Sequence, residues 1–149
     1  MMPMQITAMD KSSYKDAAAI MAQCLSHPWS EKVLFQELSN PNAHSYVAYE
    51  DGEAAGFLSV WEVCGEVSIN NIAVVEKFRR RGIAKALMEH MFTELCDAVS
   101  ATLEVRRSND AAAALYGSLG FKRVGERKDF YSRPTEDAIL MTKYLNGEK

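Results

Sequence analysis

The segment Glu66–Asp97 constrains the fold more than any other part of the chain, because its hydrophobic period changes from two to about 3.6 across a single basic turn. Glu66–Val75 reads as a strand, and Gly82–Asp97 reads as a helix with Ile83, Leu87, Met91 and Leu95 on one face, widened by Met88 and Phe92. Between them lies Lys77 with Arg79-Arg80-Arg81-Gly82-Ile83-Ala84-Lys85. A strand running through cations and a glycine into a helix start is a physical recipe for binding a diphosphate. The first amides of the helix are free, the dipole favours negative charge, and Gly82 and Ala84 allow close backbone approach. The spacing differs from a P-loop, which needs Gly-Lys-Ser/Thr, and from the three-glycine dinucleotide fingerprint. As a bare pattern the turn is also compatible with an ordinary solvated helix start.

The strand itself carries a second signal. Val67 and Ile69 share one alternation while Ile72 and Val74 share the other, so the apolar phase slips at Asn70-Asn71, as at a β-bulge that leaves backbone groups unpaired. Around this unit the chain alternates strands and helices. A strand at Gln5–Met9 precedes a helical stretch to Ser26, with Ala18, Met21, Ala22 and Leu25 at helical spacing. Ser30 caps a second helix to about Ser39, whose Val33, Leu34 and Leu38 are expected to face inward. Strands at Ser45–Tyr49 and Ala54–Val63 flank Asp51-Gly52, a strong hairpin signal. A buried strand at Ala101–Arg106, a helix at Asn109–Leu119 closed by Gly120, and strands at Lys122–Tyr131 and Asp137–Leu145 complete the order. The expectation is an α/β (α+β) fold with a mixed sheet of six or seven strands and about four helices, in one domain over residues 1–149.

The chain has 149 residues, enough to bury a core without disulfides or metals. Cys24, Cys64 and Cys96 are odd in number and widely spaced, which fits reduced thiols in a cytoplasm and gives neither a disulfide framework nor a zinc site. His27, His44 and His90 have no metal spacing, so no metal is expected. No secretory pattern is read in Met1–Met9, and no apolar run is long enough for a membrane span. A net charge of −3 disfavours general nucleic-acid binding, and the basic cluster in an acidic chain points to one small anion.

Asn71-Ile72-Ala73-Val74, Arg79–Ala84, Leu103-Glu104-Val105-Arg106, Ser108-Asn109 and Ala114-Leu115-Tyr116-Gly117-Ser118-Leu119-Gly120-Phe121 together resemble the core of the GNAT acetyltransferases. The match is close over Ile69–Phe121. With Pro28-Trp29-Ser30, Phe130-Tyr131 and Glu136-Asp137-Ala138 it extends over nearly the whole chain, and is most similar to RimI-type enzymes, which acetylate the N-terminal alanine of a ribosomal protein. Ala84 stands where glycine is common, and His27 where an aromatic residue is.

The resemblance implies acetyl-CoA as co-substrate, a bulged strand forming the CoA cleft, and a protein or peptide N-terminus as acceptor. Pantetheine would pair with the backbone of Ile72, Ala73 and Val74. The diphosphate would sit on Arg79, Arg80, Arg81, Gly82, Ile83, Ala84 and Lys85, and Asn109 would contact the pantetheine arm or simply cap its helix. Glu104, which alternates away from Leu103 and Val105, would be the general base rather than a surface glutamate. Tyr116 would protonate the departing thiolate rather than only pack in the core. A backbone N–H, with Val74 the candidate, would meet the oxyanion. Trp29, Phe130 and Tyr131 would wall the amine pocket or belong to the core. Glu31, Glu37, Asp51, Glu53, Glu136 and Asp137 are candidates to attract a basic acceptor tail. The alternatives are a GNAT acetyltransferase for another amine (a lysine side chain or a small molecule), a non-catalytic acyl-CoA-binding module, or an RNA contact at Arg79–Arg81.

Overall fold

A computed structural model describes residues 4–145; the remainder of the expected 1–149 domain, residues 1–3 and 146–149, lies outside the described residues. The elements run β1 (Gln5–Ala8), α1 (Tyr14–Cys24), α2 (Glu31–Glu37), β2 (Ala43–Glu50), β3 (Glu53–Val63), β4 (Glu66–Val74), a 3-10 turn (Glu76–Phe78), α3 (Ile83–Glu94), β5 (Ser100–Arg106), α4 (Asp110–Ser118), β6 (Lys122–Tyr131) and β7 (Glu136–Tyr144). The strands form a mixed seven-stranded sheet in the order β1-β2-β3-β4-β5-β7-β6. The β4–β5 pair is parallel, over Glu66–Ser68 and Ser100–Thr102, which requires a crossover connection, and α3 lies in it.

The chain divides into two compact units, residues 1–62 with 70–96, and residues 63–69 with 97–149. The division falls inside β4, between Ile69 and Asn70, where the apolar alternation of the sequence shifts. Burial itself does not change face there. Val67, Ile69 and Ala73 are buried on the odd positions, Asn71 between them is half-buried and donates to the Ser59 hydroxyl, and Ile72 and Val74 are half-buried.

In the first unit, β1, β2 and β3 pair antiparallel, and Asp51 and Gly52 turn the β2–β3 hairpin at φ 52° and 80°. Its core gathers Ala17, Ala18, Ile20, Met21, Leu34, Val47, Phe57 and Ala73. Two inward faces differ from the sequence expectation. Ala22 is exposed, because α1 turns Ala17, Ala18, Ile20 and Met21 inward, and Val33 is exposed beside fully buried Leu34. Both helices carry apolar residues over more than one face, so period alone did not fix the buried side. Helix α3 buries Ile83, Leu87, Met88 and Met91. Gly56 of β3 makes that packing possible: a Cβ there would stand 2.9 Å from Ile83 Cγ2 and 3.2 Å from Leu87 Cδ1.

In the second unit β7 lies between β5 and β6, antiparallel to both. Leu103 faces Met141 across the β5–β7 ladder, and both are buried. The Tyr116 ring of α4 packs edge-on to Phe121, with centroids 6.0 Å apart, and Lys143 Nζ donates to Leu119 O at the end of that helix.

Candidate active site

The first unit builds the basic turn. Arg80 and Gly82 both take left-handed backbone, at φ 68° and 76°, and Gly82 is the N-cap of α3. Glycine takes this conformation freely, whereas Arg80 holds it as a non-glycine residue. Among the described residues α3 is the one α-helix with neither a side-chain cap nor an acidic residue in its first turn. The first intrahelical bond runs from Ala86 N to Gly82 O, which leaves the amides of Ile83, Ala84 and Lys85 without an intrahelical acceptor. A Cβ built on Gly82 meets nothing within 4 Å, so the backbone there is open to a ligand.

The cations divide into two sets. Lys77 pairs with Glu53 at 2.6 Å, Arg79 Nε donates to Val74 O at 2.9 Å, and Arg81 pairs with Glu50 at 3.0 Å. These three brace the turn. Arg80 and Lys85 are exposed, and among the described residues no hydrogen bond or ion pair holds their side chains. Of the expected pantetheine strand, Ala73 is 6% exposed with its methyl in the core cluster, so it offers a ligand only backbone. The Val74 carbonyl is already engaged, by Arg79 and by the Cys24 thiol at 3.5 Å. Trp29 is half-buried and packed against the core cluster of this unit.

The second unit holds the remaining candidates. Glu104 faces away from Leu103 and Val105, as its position in the alternation requires, and its side chain is 27% exposed. It is ion-paired: Arg127 Nε of β6 lies 3.4 Å from Glu104 Oε2. The ladder explains how a residue two strands away reaches it. Ala138 of β7 stands directly between Arg127 and Arg106, and its methyl is too short to block the reach across β7. Sequence reasoning missed this partner, since only the insertion of β7 between β5 and β6 brings it close.

Tyr116 is 6% exposed, and burial pushes its phenol up to about 12. Among the described residues its hydroxyl has no hydrogen-bond partner, yet it is not one of the fully buried unsatisfied atoms. Tyr131 is raised too, first by burial and then by the negative charge of Glu104; its own charge in turn acts on Tyr116. Glu104, Tyr131 and Tyr116 therefore share one electrostatic neighbourhood. Phe130 is exposed, edge-on to Tyr131 at 5.0 Å. Asn109 caps α4, its Oδ1 accepting from Ala112 N at 3.1 Å, which accounts for its position without a ligand. Several of the acidic residues considered for an acceptor tail have partners inside the protein. Glu37 accepts from Trp61, Glu53 pairs with Lys77, Glu136 accepts from Ser108 N and Arg106, and Asp137 accepts from Asp129 N. Among the described residues no group of three or more His, Cys, Asp or Glu is placed to hold a metal ion, and no helix is long and apolar enough to cross a membrane.

Comparison with known proteins bears on the chain as a whole. The family model described as the acetyltransferase (GNAT) family matches residues 14–121. The [ribosomal protein bS18]-alanine N-acetyltransferase of Escherichia coli K12 is 37% identical over 142 residues, 91% of this chain and 94% of its own. A Bacillus subtilis relative named as a putative enzyme of the same kind is 36% identical over 131 residues, 85% of this chain and 86% of its own. The crystal structure of the E. coli ribosomal-protein-S18-alanine N-acetyltransferase superposes with a TM-score of 0.88 at 31% identity, over 98% of this chain and 96% of that one. With the family model matching residues 14–121 and relatives 36% and 37% identical over most of both chains, the chain belongs to the GNAT family of acetyltransferases.

Proposed function

We propose that this protein transfers an acetyl group from acetyl-CoA to the N-terminal α-amine of a protein, the terminal alanine of a ribosomal protein, by direct attack of the amine. The reading rests chiefly on the extent of similarity to the E. coli bS18-alanine enzyme, 37% identity across 94% of that chain. The fit to acetyl-CoA rests on the open N-terminus of α3, where the amides of Ile83 to Lys85 and the uncommitted Arg80 and Lys85 suit a diphosphate, while Ile72 to Val74 offer backbone to the arm. Bound there, acetyl-CoA supplies the thioester carbonyl that an amine attacks.

The amine must arrive neutral. An α-amino group with a pKa of about 8 is mostly protonated at neutral pH, so its proton must be taken up. Glu104 is the carboxylate for that task, accepting the proton directly or through one water. Tyr116 donates. A phenol raised to about 12 stays protonated throughout the working range, so its proton is available to the leaving thiolate. Phe130 and Tyr131 wall the side from which the amine comes, and Trp29 supports the first unit's core with one face in it.

The test mixes protein, acetyl-CoA and a panel of short peptides, following thiol release and the gain of one acetyl group in mass. Acetylation at the N-terminus of peptides beginning with alanine is expected. Mass gain confined to lysine side chains or small amines would reassign the acceptor, and coenzyme A binding with no acceptor acetylated would reassign the protein as a binding module.

A further inference from the structure

We propose that Arg106 is a positioning residue for the acceptor, acting through Tyr131 at the end of β6 and the loop that follows it; the proposal builds on the acetyltransferase reading above. Arg106 ends β5, two residues after Glu104 and on the same face of the strand. Its guanidinium meets three acceptors at once. Nη1 donates to Pro134 O at 3.0 Å and Glu136 Oε1 at 3.2 Å, and Nη2 donates to Ser132 O at 3.1 Å. The same group lies 4.5 Å from the centroid of the Tyr131 ring. Only a planar fork with several donors serves two carbonyls, a carboxylate and an aromatic ring together; an ammonium is a single point.

The loop needs such a brace. Asp129 and Arg133, on either side of Phe130 and Tyr131, hold left-handed backbone at φ 52° and 56° without being glycine. Conformations of that kind persist only where the surroundings hold them. Asp137 secures one end by accepting from Asp129 N at 2.9 Å, and Arg106 secures the other. Glu136 extends the brace. Its second oxygen accepts from Ser108 N at 2.6 Å, immediately before the Asn109 cap of the helix that carries Tyr116. Hydrogen bonding from Ser108 first, and then Arg106, holds the Glu136 carboxyl below its ordinary range, so Glu136 stays charged through neutral pH.

Tyr131, the ring on which Arg106 stacks, is the one that feels the charge of Glu104. Arg106 sends its donors to the loop and to Glu136, so it acts through Tyr131 rather than on the reacting atoms. Loss of the fork should let Tyr131 drift and spoil how the acceptor meets Glu104. The phosphate turn at Arg79–Lys85 belongs to the first unit and the brace to the second, and the ligand affinity of the turn should survive.

The experiment uses the full chain with Arg106→Gln, Arg106→Lys and Glu136→Gln. It measures coenzyme A affinity by calorimetry and steady-state kinetics on an alanine-terminal peptide. For Arg106→Gln, KM for the peptide is expected to rise roughly tenfold to a hundredfold, with kcat changed far less and coenzyme A affinity within about twofold. Arg106→Lys should fail to restore KM, since charge without the fork does not hold the loop. A KM left unchanged, a rescue by lysine, or an equal loss of coenzyme A affinity would each overturn the proposal. If the Arg106 variants do not fold, Glu136→Gln decides: a rise in peptide KM alone supports the brace, and an unchanged KM removes it. Should the wild-type chain acetylate a different amine, the acceptor assignment fails, and the same KM comparison on that amine still decides the role of Arg106.

Discussion

Glu104→Gln keeps the size and hydrogen-bonding capacity of the side chain and removes only its ability to take a proton. Turnover at neutral pH is therefore expected to fall by roughly 10²- to 10⁴-fold, while coenzyme A affinity holds. The deficit should shrink as pH rises past about 8, where the α-amine sheds its proton unaided. A pH–rate profile of wild type and variant measures this, and equal rates at neutral pH would remove Glu104 from the mechanism. Tyr116→Phe isolates the other half of the proton path. Among the described residues the Tyr116 hydroxyl has no hydrogen-bond partner, so its loss should change stability by less than about 1 kcal/mol while turnover drops on the order of 10²-fold. A normal melting curve with normal turnover would leave Tyr116 as packing alone. At this scale the sequence marked Glu104 and Tyr116 as candidates, because each sits in a local pattern, one on a strand and one on a helix. It did not show that Arg127 pairs with Glu104 or that Arg106 ties Ser132, Pro134 and Glu136 together. Those contacts join strands β5, β6 and β7, whose order in space is not their order in sequence.

Two helix starts make a contrast at the scale of elements. At α2, Ser30 Oγ accepts from Val33 N at 3.2 Å, and Ser30→Ala should cost about 1 kcal/mol, read as a fall of roughly 2–4 °C in melting temperature, without altering coenzyme A affinity. At α3 the N-cap is Gly82, with open space where a side chain would stand. Gly82→Ala forces alanine into left-handed backbone at φ 76°, a cost of about 1 kcal/mol, and sets a methyl group where a phosphate would approach. Calorimetry should then show weaker coenzyme A binding beyond what the modest loss of stability explains. Equal affinity in wild type and variant would argue against this helix start as the phosphate site. The turn was legible in sequence because glycine and clustered cations are local signals. The inward faces of α1 and α2 were less so, since Ala22 and Val33 are as apolar as their buried neighbours and only packing against β2 and β3 selects among them. The apolar shift at Asn70-Asn71 has a related origin. Asn71 takes a half-buried odd position because the Ser59 hydroxyl accepts its amide hydrogen, which lets a polar residue stand where the alternation calls for an apolar one.

Across the whole molecule, buried phenols link stability to alkaline pH. Burial raises Tyr46 in the first unit and Tyr116 in the second, each to about 12, and Tyr49 is raised by burial and by its hydrogen bond to Asp16 at 2.7 Å. In the unfolded chain these groups ionise near 10. Below that pH both states hold the proton and the contribution to stability is complete. Between about 10 and about 12 the unfolded chain releases protons that the folded chain keeps, so stability falls as pH rises. The loss should be on the order of 1–2 kcal/mol for each fully buried ring. Because Tyr46 and Tyr116 lie in different compact units, both should weaken over the same interval. Urea midpoints at about pH 9 and about pH 11.5 measure the slope, and Tyr46→Phe with Tyr116→Phe separates these rings from the lysines that titrate nearby. A double variant as pH-sensitive as the wild type would place the alkaline loss elsewhere. If Tyr116→Phe alone flattens the slope, the phenol of Tyr116 keeps its proton in the folded protein beyond the pH at which the unfolded chain releases it, which is the condition its role as proton donor requires.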